Sequence, residues 1–183
     1  MFMGWVILGI LIIVGLYLIV LYNRLITFRN RVENAWAQVD VQLRRRYDLV
    51  PNLVETVKGY AAHEREVFEN VARARQAAIS AQSPGEKGAA EGQLTQALRQ
   101  LFAVAEAYPT LRASENFQNL QEQLAQTEDK IAYARQFYND TVFRYNTTIE
   151  KFPANLFARS LGFAKKEYFE VEGEGREPVR VQF

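Results

Sequence analysis

The sequence predicts an all-α fold: one N-terminal transmembrane helix, then an antiparallel bundle of long helices, four-helix and up-and-down-like, and a short extended C-terminal tail. Three observations predict it. Residues 1–22 carry no charged side chain; apolar residues recur at steps of three and four through most of the chain beyond residue 22; and two arms of nearly equal length, residues 23–82 and 91–152, flank a stretch rich in Pro and Gly. The division this implies is an anchor over 1–22, a cytoplasmic helical bundle over 23–152, and a short amphipathic segment with the tail over 153–183.

Composition narrows the function classes. The chain has 183 residues, 49% hydrophobic and 23% charged, with no cysteine, one histidine and a formal charge of +1. That length leaves room for one domain. Without a thiol there is neither a disulfide scaffold nor a cysteine-ligated metal. A near-neutral total argues against a nucleic-acid partner, which demands a basic face to displace counterions.

The run FMGWVILGILIIVGLYLIVLY is dominated by Ile, Leu and Val. About 20 helical residues cross a hydrocarbon core of ~30 Å, so it is long enough to span. Trp5 near one end and Tyr22 near the other suit the two headgroup layers. A cleaved signal peptide would need a positive n-region and a small-x-small cleavage site, and neither is present. Arg24, Arg29 and Arg31 follow the span while only the α-amino group precedes it. The positive-inside bias therefore places the amino terminus outside and residue 23 onward in the cytoplasm, in a single-pass protein of the cell inner membrane.

The first arm carries a stripe at Leu25, Phe28, Val32, Ala35, Val39, Leu43, Arg46, Val50, Val54, Val57, Ala61, Glu64, Phe68, Val71 and Ala78. It runs through Pro51, whose ring opposes the Tyr47 carbonyl, so the helix either bends there or restarts with Asp48 as N-cap; the bend is favoured. Residues 83–92, SPGEKGAAEG, read as a loop. Leu94, Leu98, Leu101, Ala105 and Tyr108 restore the stripe up to Pro109, and Ser114 makes a good N-cap for the last long helix. Its seam is Phe117, Leu120, Leu124, Thr127, Ile131, Ala134, Tyr138, Val142, Tyr145 and Ile149, a near-seven-residue repeat that indicates coiled-coil-like packing. Around and beyond Pro153, Phe152, Leu156, Phe157, Leu161 and Phe163 mix with Arg159, Lys165 and Lys166. They either cap the bundle core or touch the bilayer, and capping is the simpler reading because so short a segment inserts weakly alone. Residues 167–183 form a small hairpin or a loose tail.

Catalytic constellations are not visible. His63-Glu64 begins like a zinc-protease helix but lacks the second histidine, and His63 reads as a helix-surface residue. No serine sits in a nucleophile elbow and no glycine-rich phosphate cradle appears. Catalytic, metal and cofactor sites are accordingly expected to be absent. The conspicuous charge run is Arg44-Arg45-Arg46. Asp40 and Asp48 stand four residues either side of Arg44, which accounts for that side chain. Arg46 falls on the apolar stripe and is the candidate for a buried ion pair, with an acidic partner on another helix or subunit; Arg46, Asp40 and Asp48 are the residues named for a possible buried ion pair.

Residues 36–60, WAQVDVQLRRRYDLVPNLVETVKGY, closely resemble the hallmark of the LemA family. Residues 103–109, AVAEAYP, and the pairs Tyr138-Asn139 and Tyr145-Asn146 are similar to its other recurrent segments. The resemblance covers nearly the whole chain and implies a bacterial or archaeal inner-membrane protein with a helical cytoplasmic domain. It implies no reaction, cofactor or catalytic residue. The leading expectation is a non-enzymatic scaffold or adaptor at the cytoplasmic face. Its partners would be the lipid bilayer, further copies of itself and an unidentified membrane or cytoplasmic protein. The alternative is a membrane-associated enzyme with an unrecognised carboxylate-based site.

Overall fold

A computed structural model describes residues 2–171; Met1 and the part of the tail beyond 171, with its hairpin-or-loose-tail alternative, lie outside the described residues. Every regular element among the described residues is a helix: α1 (Phe2–Lys58), α2 (Arg65–Ser80), α3 (Pro84–Glu106), α4 (Pro109–Arg112), α5 (Glu115–Glu150) and α6 (Ala154–Phe157). The described part of the tail, residues 167–171, has no regular structure.

Helix α1 keeps Pro51 inside it. The proline removes the donor that the Tyr47 carbonyl would otherwise meet. Arg75 replaces that donor, its Nε–H lying 2.8 Å from the Tyr47 carbonyl oxygen. The helix therefore does not restart, and Asp48 is an exposed helical residue rather than a cap. The chain reverses instead at residues 59–64, which the apolar stripe had carried straight through as helix. Periodicity missed the turn because Val57 and Ala61 are both buried across it, at 0% and 1% exposure.

The expected loop at 83–92 is the second correction, since α3 begins at Pro84. Ser83 Oγ accepts from the Glu86 N–H at 3.2 Å, and the Glu86 carboxylate accepts from the Gln82 and Ser83 N–H groups at 3.0 and 3.3 Å. This is a capping box with proline in the first turn, where its missing N–H costs nothing. Those two N–H groups also hold the Glu86 carboxyl below its ordinary pKa. Gly88 is a packing residue: a Cβ there would sit 1.9 Å from the Glu170 carbonyl oxygen, so the 167–171 segment lies directly on α3. Phe169 of that segment is fully buried.

The chain divides into two compact units, and α1 and α5 contribute to both. Unit 2 comprises Val39–Arg135 and Glu167–Phe183. Four long helical stretches build it, the end of α1, α2, α3 and the start of α5, with the short α4 between the last two. Short connections send α2 back along α1 and α3 back along α2. Contacts of α1 with α5 run from Thr56–Asn116 to Arg46–Glu128, so that pair is antiparallel and the order is up-down-up-down. Leu43, Val50, Leu53, Leu94, Leu101 and Leu111 are at most 2% exposed, each worth about 1.5–3 kcal/mol by burial.

Unit 1 comprises Met1–Gln38 and Gln136–Lys166. The Trp36 and Tyr138 rings meet at 5.1 Å between centroids. Asn146 clamps the chain after α6: its Nδ2 donates to the Lys166 carbonyl and its Oδ1 accepts the Lys166 N–H, both at 2.9 Å. The Tyr145 hydroxyl donates to the Ala164 carbonyl at 3.0 Å.

Replacing Arg75 with Ala is expected to cost about 1–3 kcal/mol, the desolvation penalty of an orphaned carbonyl. In a Pro51→Ala background the restored N–H should remove most of that cost. Urea unfolding of the four variants of this cycle checks it, and equal losses in both backgrounds would refute the role given to Arg75.

Candidate functional site

Two regions gather polar or exposed apolar residues beyond what helix packing requires. The first is a buried ionic network in unit 2. Arg46 is 3% exposed, with Glu91 of α3 at 2%. Its NH1 is 2.5 Å from Glu91 Oε2, its NH2 donates to Thr95 Oγ1 at 2.9 Å, and its Nε is 2.8 Å from Glu128 Oε1 of α5. The last contact is an ion pair without hydrogen-bond alignment. Tyr47 donates its hydroxyl to the other Glu91 oxygen, and the Ala78 carbonyl of α2 lies 3.4 Å from the same hydroxyl. Lys87, one turn before Glu91 and also buried, reaches Asp40 at 3.7 Å.

Asp40 belongs to Arg44, at 2.8 Å, and to Lys87; Arg46 takes its acids from α3 and α5. Asp48 is exposed. Sequence reasoning missed Glu91, Glu128, Thr95, Lys87 and Tyr47. Glu91 carried a usable signal, since it precedes Leu94, Leu98 and Leu101 in their own register, but reading 83–92 as loop hid it.

Burial, followed by the Glu91 carboxylate beside it, pushes the Tyr47 phenol far above its ordinary pKa. At the centre of the network the Arg46 cation, the Glu91 acid and the Tyr47 phenol are paired, while Glu128 is partly exposed. The network joins α1 to α3 and α5 and, through the Tyr47 hydroxyl, to α2. Among the described residues no group of three or more His, Asp or Glu side chains converges as a metal site. His63 stands exposed in the 59–64 turn rather than on a helix surface.

The second region is the end of unit 1 that carries the apolar run. Within α1 the most apolar 18-residue window has mean hydropathy 2.8 and is only 6% buried. Trp5 is 73% exposed. At the other end of the run Tyr22 meets the Phe163 ring edge-on at 5.8 Å. Arg24 and Arg31 flank the Phe28 ring at 5.7 and 5.6 Å, within cation–π range. Between α1 and α5 of this unit lies an open groove of about 380 Å³, lined by Phe28, Ala35, Phe137 and Thr141 together with Arg31, Asp140 and Arg144.

A family model described as the LemA family matches residues 35–183. The chain belongs to the LemA family. Magnetosome protein MamQ 2 and Magnetosome protein MamQ 1 of Paramagnetospirillum magneticum are each 28% identical to it over 188 aligned positions, covering 88% of this chain and 69% of the relative. Magnetosome protein MamQ of Magnetospirillum gryphiswaldense is 27% identical over the same shares. LemA membership and the unburied apolar run of α1 together make this a membrane-associated helical protein.

Removing one partner of the buried pair leaves the other uncompensated, so Arg46→Met or Glu91→Met should each cost about 3–5 kcal/mol. The double variant should lose clearly less than their sum in denaturant unfolding; additive losses would deny the coupling.

Tyr47 also sets an alkaline limit. The unfolded phenol ionises near pH ~10 while the folded one stays protonated, so above that pH the unfolded chain binds fewer protons and stability falls as pH rises. Tyr47→Phe should remove this part of the loss, read as unfolding midpoints from neutral pH into the alkaline range. Parallel curves for the two proteins would contradict it.

Proposed function

We propose that this LemA protein is a non-enzymatic scaffold or adaptor, anchored by a single pass of α1 in the cell inner membrane, with its amino terminus outside and its helical units in the cytoplasm. It works by binding copies of itself and a membrane or cytoplasmic protein. The observation that carries the reading is the apolar run of α1, left unburied over residues whose side chains have no use in water: Phe2, Trp5 and Ile13 are 87%, 73% and 68% exposed. Arg24, Arg29 and Arg31 directly after it support the orientation.

Support for binding rather than catalysis comes from how the polar groups are spent. The buried acids and bases of unit 2 pair with one another, while bulky apolar side chains stay outside: Phe143 is 61% and Phe137 46% exposed, the latter on the open groove of unit 1. Such surfaces favour protein contacts. The relatives named as magnetosome proteins support a structural role over a catalytic one.

The chain has no native cysteine, so single introduced cysteines report unambiguously. In intact cells a membrane-impermeant maleimide should label Met3→Cys and spare Gln118→Cys until the membrane is opened; the reverse pattern would overturn the orientation. Detergent-solubilised protein should scatter light as an oligomer, and a monomer across a wide concentration range would overturn the self-association.

A further inference from the structure

We propose that residues 151–166 form a foot that docks on the anionic headgroup surface of the bilayer holding α1. This rests on the anchor reading above and adds a second, peripheral contact to it. Phe163 is 5% exposed and its ring abuts Tyr22, the last residue of the apolar run, so the segment is fixed at the level where the span ends. The Arg29 guanidinium also packs on this ring, 5.8 Å from the Phe163 centroid. The hydrogen bonds from Asn146 and Tyr145 hold the chain on either side of Lys165, so the placement does not depend on lipid.

The segment has two faces. Ala154, Ala158 and Phe163 turn inward and cap the unit. Phe152, Leu156 and Leu161 turn outward, at 79%, 61% and 38% exposure. Capping therefore accounts for the small residues and one ring but leaves three bulky apolar side chains in water beside the membrane boundary. Lys151 and Arg159, both exposed, stand among them. Apolar side chains interleaved with cations at headgroup depth fit an interfacial segment, and the anchor supplies the affinity that so short a piece lacks alone.

Charge points the same way. Unit 1 holds eight Lys or Arg against three Asp or Glu, leaving fourteen against eighteen to unit 2. A chain that is nearly neutral in total thus concentrates its positive charge in the unit that contains the span, where an anionic leaflet attracts it within a Debye length.

The test uses the full chain in nanodiscs carrying one copy, of phosphatidylcholine alone or mixed with phosphatidylglycerol, with an environment-sensitive fluorophore on Leu156→Cys or, as control, Gln118→Cys. The label at 156 should shift to the blue and be quenched several-fold less by aqueous iodide in the mixed lipid, with no change at 118. Lys151→Gln with Arg159→Gln should abolish the difference between lipids. A label at 156 as wet as that at 118 in both lipids overturns the proposal, as does protection seen only in discs holding two copies. Flotation separates the two readings: a chain that fails to float with vesicles refutes the anchor, whereas one that floats with a wet Leu156 label refutes the foot alone.

Discussion

A guanidinium at 3% exposure among packed helices has to be matched where it stands, and the helices of unit 2 are arranged to do so. Arg46 comes from α1, its carboxylates from α3 and α5, and the Tyr47 hydroxyl that completes Glu91 lies against the Ala78 carbonyl of α2. Each connection between these helices then has a geometric task. The 59–64 turn brings α2 back to Tyr47, and the Ser83 capping box starts α3 early enough that Glu91 is already helical when it reaches Arg46. Had 83–92 been a loop, that carboxylate would not have been held on the stripe facing α1.

Most of the helical plan was legible from periodicity. All ten seam residues assigned to the last helix, Phe117 through Ile149, are buried, and so are Leu94, Leu98, Leu101 and Ala105. The LemA resemblance, carried by residues 36–60, was legible too. What periodicity could not register were interruptions and continuations decided by single hydrogen bonds. Pro51 resembles a helix end, yet α1 continues through it, and the carbonyl it leaves without a donor is met by Arg75, distant in sequence. Residues 59–64 resemble helix because buried residues flank the turn in phase. Residues 83–92 resemble loop because glycine is scored for flexibility, whereas Gly88 is there to let the Glu170 backbone approach.

Total charge was misleading in a related way. A value of +1 describes neither unit, since basic residues dominate the one containing the apolar run and acidic residues slightly dominate the other. Composition excluded a uniformly basic protein and could not detect a segregated one. The segregation becomes visible only once α5 is divided between the units, because Arg144 and Lys151 then join Arg24, Arg29 and Arg31 despite lying more than a hundred residues away in the chain.

A buried ion pair is a poor way to gain stability, since apolar residues of the same volume do as well or better. Its use here comes from the seams. Stripes repeating at near-seven intervals can slide by one repeat and still lay apolar residues on apolar residues. In unit 2 a slide of α3 along α1 by one repeat would bring Leu98 to Arg46, leave the guanidinium with Glu128 of α5 alone, and leave Glu91 buried without its counter-charge. Apolar packing alone would treat the two alignments as near equals, and the Arg46 network separates them by the cost of breaking the Arg46–Glu91 pair and leaving Glu91 buried alone. That makes Arg46, the charged residue on the α1 stripe, a register key: a surface of the kind proposed above is only as defined as the register of the helices that form it.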